Sequence, residues 1–327
     1  MTSGRMESLI ELFVRIQIYI LAVFYAIKEL YFEATNQGIA SKLNDEISLS
    51  PLLLRPKKVA VVTGADGTIG LEVTKRLLGL GFDVRALVKN RDGSPLSSLL
   101  KDFSKERLRL YEVDLDCPRR VARFLEDFTN SETVHLVILS AGVMLVKEKH
   151  IDGLEGHMCV NVISQALLIE GLREHLSEDA RIVALSSTCL RTAYNHRQLE
   201  GNLLDTYIGP YHAYAMSKLA LTIYLEELAK RRNLKAVSMH PGVVPGHLYR
   251  NLNLPLKLIT YFLLPFIMRT PSFSAKLVIH TAMRRDFVPG AYYEDLEEKK
   301  KLLDWYSDIQ KDAVYNAVQE KIKTFRS

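Results

Sequence analysis

Cysteine is scarce in this sequence: Cys117, Cys159 and Cys189 are the only three among 327 residues. Their odd number and wide spacing offer no Cys-x-x-Cys pair, which argues against a disulfide framework and against a zinc site. They read as reduced thiols packed as small hydrophobes. No Asn-x-Ser/Thr acceptor occurs, in keeping with a body that faces the cytosol. An excess of one charge is also missing. The net charge is +5, from 43 Lys and Arg against 38 Asp and Glu. The cations are scattered among acids, so no nucleic-acid stripe stands out and no nucleic-acid partner is expected. There is no internal repeat and no low-complexity tract.

Apolar residues are plentiful: 48% of the chain is hydrophobic and 25% charged. That suffices for one large α/β domain of roughly 250 residues plus extensions. One long apolar run lies at the amino terminus. From Ile16 to Ile27 only Gln17 is polar, and the tract stretches to Leu9–Leu30. A spanning helix needs about 20 predominantly apolar residues. Glu11 and Arg15 interrupt the first half, at i, i+4, where they can pair on one face. A single anchor helix, an interfacial helix and a cleaved signal peptide are the readings open to residues 1–32. The signal peptide is the weakest, because no clear small-x-small cleavage site follows. Only Arg5 precedes the tract as a cation, whereas Lys28, Lys42, Arg55, Lys57 and Lys58 follow its core, which places the body in the cytosol. Residues 33–56 read as a polar connector ending at Pro51 and Pro56.

A regular alternation begins after Lys58. Val59–Thr63 is a short apolar run typical of a strand buried on both faces. A glycine-rich turn leads to a helix from about Ile69 to Leu80, closed by Gly81. Extended runs at Val84–Val88, Leu108–Val113, Leu136–Leu139, Arg181–Leu185 and Ala236–Met239 alternate with helical ones. The helical runs are Leu96–Phe103, Arg119–Phe128, His157–Leu176 and Tyr211–Arg231. The alternation implies right-handed crossovers and a single α/β domain with a doubly wound parallel sheet of Rossmann type. Its ligand belongs at the carboxyl ends of the strands.

The turn after the first strand reads Thr63-Gly64-Ala65-Asp66-Gly67-Thr68-Ile69-Gly70. Glycines let backbone approach a pyrophosphate, and the helix amino terminus offers free N–H groups. Such sites often hold a ribose 2′-hydroxyl with an acid at the end of the second strand. Here the sequence is Lys89-Asn90-Arg91, without an acid, so Lys89 and Arg91 are either solvated cations or partners of a 2′-phosphate. NADP(H) is therefore favoured slightly, with NAD(H) left open. The strongest signal is Tyr214-Ala215-Met216-Ser217-Lys218. Its i, i+4 spacing puts phenol and ammonium on one helix face. An adjacent ammonium lowers a phenol's pKa toward the neutral range, where it can exchange a proton. The pair follows Ser186-Ser187 at a strand end and Asn161 on a helix.

These segments resemble the short-chain dehydrogenase/reductase family from about residue 57 to 294. The resemblance is carried by TGADGTIG (63–70), VDL (113–115), SAGVM (140–144), Asn161, RIVALSS (181–187), YAMSK (214–218) and HPGVV (240–244). Within the family the chain is similar to the retinol-dehydrogenase-like branch, and there to amino-terminally anchored oxidoreductases of long isoprenoid alcohols. The resemblance implies Tyr214 as general acid/base. Lys218 would lower its pKa and hold the nicotinamide ribose, and Ser187 would bind the substrate oxygen. Asn161 would fix a helix irregularity and a water in a proton relay. It also implies Asp114 and Leu115 at the adenine, Ala141 and Gly142 at the adenosine ribose, and Pro241, Gly242 and Val244 beside the nicotinamide. Three positions depart from the family pattern. Thr68 stands where a glycine is usual, giving GxxGxxG. Leu139-Ser140 replaces a pair of asparagines. Gly246 removes a hydroxyl usual after HPGVV. His240, Tyr211 and His212 read as structural neighbours of the chemistry.

Residues 254–268 (LPLKLITYFLLPFIM) read either as a helix over the core or as an apolar lid, within a lid region 245–270, touching the membrane. The tail 295–327 reads as a charged amphipathic helix, with Leu302, Trp305, Ile309 and Val318 as packing residues. The expected function is hydride transfer between NAD(P)(H) and a lipophilic alcohol or aldehyde, such as a polyprenol, dolichol or retinoid. The expected setting is a membrane such as the endoplasmic reticulum or a lipid droplet, and a homodimer is left open. The alternatives are a non-catalytic nucleotide-binding scaffold, a steroid dehydrogenase and an epimerase of the extended branch. No metal is implied.

Overall fold

The computed structural model of the chain describes residues 3–36, 38–128, 132–193, 201, 203–252 and 268–326. The apolar tract 254–268 lies outside the described residues except for Met268, whereas 245–252, 269 and 270 of the lid region around it are described.

The amino-terminal run forms one helix of 33 residues, α1 (Ser3–Thr35). Residues 33–56, which read as a connector, are folded instead. They carry α2 (Ile39–Ser48), whose Leu43 and Ile47 are buried, and a 3-10 turn at Pro51–Leu54. Only two buried apolar positions in ten residues left α2 with a polar sequence, although their i, i+4 spacing is helical.

The sheet begins with β1 (Val59–Thr63), buried at every position. It continues through α3 (Thr68–Gly79), β2 (Asp83–Val88), β3 (Leu108–Glu112), α4 (Pro118–Asp127) and β4 (Val134–Leu139). Where a helix was expected over Leu96–Phe103 there is a 3-10 stretch, Pro95–Lys101, opened by Pro95. After a small hairpin of β5 (His150–Ile151) and β6 (Leu154–Glu155), the helix expected over 157–176 is broken into pieces. They are α5 (Gly156–Met158), a π-helical turn at Cys159–Ile163, α6 (Ser164–Leu172) and a 3-10 turn at Arg173–His175. Then come β7 (Leu176–Leu185), α7 (Pro210–Arg232), β8 (Lys235–His240) and α8 (Pro271–Met283). The chain ends with β9 (Tyr292–Glu294), β10 (Glu297–Glu298) and α9 (Asp308–Arg326).

The eight-stranded sheet has the order β10-β9-β8-β7-β4-β1-β2-β3. Every pairing is parallel except β9 with β10. One apolar cluster on each face covers it, so the architecture is the Rossmann-type doubly wound sheet with a long amino-terminal apolar helix. Strand order reverses between β1 and β4, and their carboxyl ends open the crevice that such sheets use for ligands.

The tail differs from its reading. The sheet runs on past residue 294 to β10, and the terminal helix starts only at Asp308. Val318 is fully buried, but Trp305 is 83% and Ile309 73% exposed. Tyr315, stacked on Tyr224 with ring centroids 5.7 Å apart, packs there in their place.

Candidate active site

The turn between β1 and α3 is built for close approach. Gly64 has φ +57°, and a Cβ on it would lie 2.8 Å from the Ala141 α-carbon. A Cβ on Gly70 would lie 2.0 Å from the Gly64 carbonyl oxygen. Side chains are excluded at both positions, and backbone lines the crevice. Gly67 is the N-cap of α3 and supplies no side-chain cap, so the N–H groups of the first turn keep their capacity for an anion. This cradle fits the pyrophosphate of a dinucleotide. Asp66 lies in the same turn. Burial raises its pKa from the ordinary aspartate value, against its own backbone N–H and the nearby His247, which lower it.

The junction of β1 and β4 is held without the asparagine that is usual there. Ala141 N donates to Thr63 Oγ1 at 3.1 Å. Gln165 joins the pair, accepting from Thr63 Oγ1 at 3.2 Å and donating to the Ala141 carbonyl at 3.0 Å. Gln165 was legible only as the residue one turn after Asn161.

Lys89, Asp114, Leu115, Ala141 and Gly142 line the same cavity as the glycine turn. Asn90 lies outside its wall and accepts instead from Asp92 N at 3.0 Å. Lys89 is not a free cation. It stands 3.2 Å from both Asp114 and Asp116. Burial pulls its pKa down, but the two carboxylates prevail and raise it.

The strand end at Ser187 and helix α7 bring the chemical groups together. Tyr214 is 3% exposed and Lys218 4%, with the ammonium 5.9 Å from the Tyr214 ring centroid. The Ser187 side chain stands beside the Tyr214 phenol, its Oγ accepting from Cys189 N at 3.2 Å. Lys218 Nζ donates to the Leu185 carbonyl at 2.8 Å. Burial pushes its pKa from 10.5 down to about 8, partly opposed by Cys189. The expected lowering of Tyr214 is overturned. Burial drives its pKa well above 10, Cys189 adds to the rise, and only Ser187 opposes it. The ammonium is tied to a main-chain carbonyl and does not reverse the cost of burying a phenolate.

Asn161 sits in the π-helical turn, an irregularity often found at functional sites. Its amide accepts from Val143 N at 2.9 Å and donates to the Val143 carbonyl at 3.0 Å and to Ser217 Oγ at 2.9 Å. A Cβ on Gly142 would lie 3.4 Å from both Asn161 Oδ1 and Lys218 Nζ. The glycine thus leaves a small polar gap between them.

On the far wall are Pro241, Gly242 and Val244. Gly242 has φ +102°, and a Cβ there would lie 2.6 Å from Arg269 Cδ. Two of the departures from the family pattern meet across the cavity. A Cβ on Gly246 would fall 2.2 Å from Thr68 Oγ1, and that hydroxyl accepts from His247 N at 3.3 Å. Thr68 therefore returns a hydroxyl to the place from which Gly246 removed one.

The residues missed by sequence reasoning are on α1. Glu29, fully buried, accepts from Val243 N at 2.9 Å and pairs with His240 Nε2 at 3.1 Å. His240 is thereby a strut between helix and strand. Glu11 does not pair with Arg15 as expected. It accepts from the N–H groups of Tyr211 and His212, each at 3.0 Å, and so caps α7. Arg15 lies over the Tyr211 ring, 5.6 Å from its centroid. Acids in the middle of an apolar tract were the one available signal.

The cavity has a volume of about 600 Å³. Beyond Tyr214 its wall is formed by Val143, Met144, Leu248, Tyr249 and Met268, and by α1 residues including Ile18 and Ala22.

The family model described as NAD dependent epimerase/dehydratase matches residues 60–296. Retinol dehydrogenase 12 of Mus musculus is 34% identical over 252 residues, covering 73% of this chain and 78% of that protein. Polyprenol dehydrogenase of Homo sapiens is 28% identical over 270 residues, covering 76% and 80%. Among solved structures, a short chain dehydrogenase from Burkholderia cenocepacia J2315 in complex with NADP aligns with a TM-score of 0.53 at 21% identity. That alignment covers 72% of this chain and 94% of the other. A protein from Mycobacterium paratuberculosis aligns with a TM-score of 0.59 at 20% identity, over 86% and 96%.

Proposed function

The chain belongs to the short-chain dehydrogenase/reductase superfamily, in its retinol and polyprenol dehydrogenase-like branch, and on that footing we propose that it oxidises a lipid-soluble alcohol, or reduces the matching aldehyde, with a nicotinamide dinucleotide. The observation that carries the proposal is the union of Ser187, Tyr214 and Lys218 at one end of an apolar cavity that also holds the glycine turn, with Asn161 behind Gly142.

The dinucleotide, when bound, supplies the hydride acceptor or donor. Gly64, Gly67 and Gly70 would admit its pyrophosphate, and Lys218 would reach its ribose. The protein's part is proton management at the substrate oxygen. Ser187 hydrogen-bonds that oxygen and fixes it against the Tyr214 phenol. With its pKa above 10, the phenol holds its proton at neutral pH, the form that donates to a carbonyl oxygen. In the oxidative direction the phenol would pass its own proton into the relay beside Gly142 as its oxygen takes the alcohol proton, with the hydride going to the bound dinucleotide. Lys218 then offsets the phenolate charge, and Asn161 keeps the gap beside Gly142 polar enough for a relay.

Burying each methylene against this wall is worth about 0.8 kcal/mol, so a long chain binds without a charged handle. Val143, Met144, Leu248 and Met268 on that wall suit a hydrocarbon chain better than the sugar nucleotide of an epimerase. The choice between 2′-phosphate and 2′-hydroxyl rests on Lys89, since Arg91 lies outside the cavity wall. We favour NADP(H), with Lys89 exchanging a carboxylate for the phosphate. The test offers polyprenol, retinol, a steroid alcohol and a small polar alcohol with each nicotinamide cofactor. Turnover of the lipid alcohols is expected. Turnover of the small polar alcohol alone would overturn the proposal.

A further inference from the structure

Helix α1 is amphipathic the wrong way round for water. Between Leu9 and Tyr31 ten positions are exposed, and all ten are apolar or aromatic. Leu12, Ile16, Ile20, Phe24, Ile27 and Tyr31 mark this stripe, each 49% to 69% exposed. The charged residues of the same stretch turn inward. Glu11 caps α7, Glu29 holds Val243 N and His240, and Lys28 pairs with Asp295 at 2.9 Å. Just beyond, Glu33 pairs with the buried Arg269 at 2.9 Å. A helix packed on a water-soluble protein shows the opposite pattern.

We infer that α1 lies in the plane of a lipid bilayer, its stripe immersed, and that it forms the membrane-side wall of the substrate cavity. A spanning orientation would strip the opposite face from the catalytic domain and place Glu11, Arg15, Lys28 and Glu29 in hydrocarbon. At 33 residues the helix is about 50 Å long, well beyond the ~30 Å hydrocarbon core, a length that an in-plane helix accommodates without mismatch. The occupant is a bilayer and not a protein, because the stripe carries no polar position to give a partner register. The stripe is also continuous with the site. Val23 and Ile27 are both 58% exposed and both line the cavity. A lipid-soluble substrate reaches Tyr214 past these residues, sideways from the membrane. The last point rests on the reading of the site as one for lipid alcohols.

The test uses the full-length protein and liposomes of neutral phospholipid. Ile16→Glu, Ile20→Glu and Phe24→Glu together are expected to reduce liposome flotation about tenfold or more. Turnover of a liposome-borne long-chain alcohol should fall with it, while turnover of a short water-soluble allylic alcohol stays within about twofold of the parent. Undiminished flotation of the triple variant overturns the inference. Orientation is read separately, with Arg5→Cys and Thr35→Cys proteins added to intact liposomes and an impermeant thiol reagent outside. Both new thiols should react above the parent's background. Reaction at only one end means a spanning helix and overturns the inference. If neither parent nor variant turns over any alcohol, the site's reading fails, and flotation and labelling still decide the docking.

Discussion

Thr68 and Gly246 illustrate how two odd residues become one arrangement. Because a Cβ on Gly246 would fall 2.2 Å from Thr68 Oγ1, Gly246→Ser overpacks the cavity rim. Such overpacking costs about 1–3 kcal/mol, so nucleotide affinity should fall about tenfold. Thr68→Gly in the same protein removes the obstacle and should restore most of it. Titration of each variant with the dinucleotide, followed by protein fluorescence, reads this out. Loss of affinity in the double variant equal to that in the single one would refute the compensation. Lys218 makes a second residue-scale prediction. Burial lowers its pKa from 10.5 to about 8, so below pH 8 the folded protein bears the cost of a buried ammonium that the unfolded chain does not. The folded state binds fewer protons than the unfolded one between pH 8 and 10.5, and stability rises with pH across that window. The cost is up to roughly 3 kcal/mol, offset by about 1 from the bond to Leu185. Lys218→Met should therefore raise Tm at pH 7 by about 4 °C, while abolishing turnover. The gain should vanish above pH 10.5. Thermal melts at the two pH values check it.

At the scale of elements, α1 is part of the catalytic domain and not a detachable tether. Glu29→Ala leaves the buried Val243 N–H and His240 without their acceptor, a loss of about 2–4 kcal/mol. A lower Tm and weaker dinucleotide binding are expected together, since Val243 borders the cofactor wall. Unchanged melting would show that the contact contributes nothing. Protein lacking residues 1–35 should lose activity even toward a water-soluble alcohol, because α7 loses its Glu11 cap. The elements that the sequence made legible are those with strong local signals. The strand–turn–helix of 59–79 and the Tyr214/Lys218 spacing depend on neighbours within a few residues. What stayed hidden depends on distant partners. Glu11 meets the N–H groups at Tyr211 and His212, 200 and 201 positions away, and Glu29 meets Val243 N, 214 away. Helix α2 hid because only Leu43 and Ile47 face the core, and the prolines after it read as punctuation. In the tail, hydrophobicity points to Val318, which is buried, but also to Trp305 and Ile309, which are exposed, while Val314 and Tyr315 complete the packed face.

For the whole molecule, sheet, cavity and helix stripe point in one direction. The carboxyl ends of β1 and β4 open onto a cavity whose deep end is polar and whose outer wall belongs to α1. A substrate with a reactive hydroxyl at one end and an isoprenoid chain at the other matches that gradient. The central claim is that Tyr214 moves the proton while hydride passes between such an alcohol and the nicotinamide. The most direct measurement is single-turnover formation of reduced dinucleotide from a polyprenol deuterated at C1, in liposomes, for the parent and for Tyr214→Phe. The parent should transfer the deuterium to the dinucleotide with a primary isotope effect. Tyr214→Phe should bind the dinucleotide normally and form almost none of the reduced product. Equal product formation by both proteins, or bound dinucleotide that takes no label from any lipid alcohol in the parent, would contradict the account.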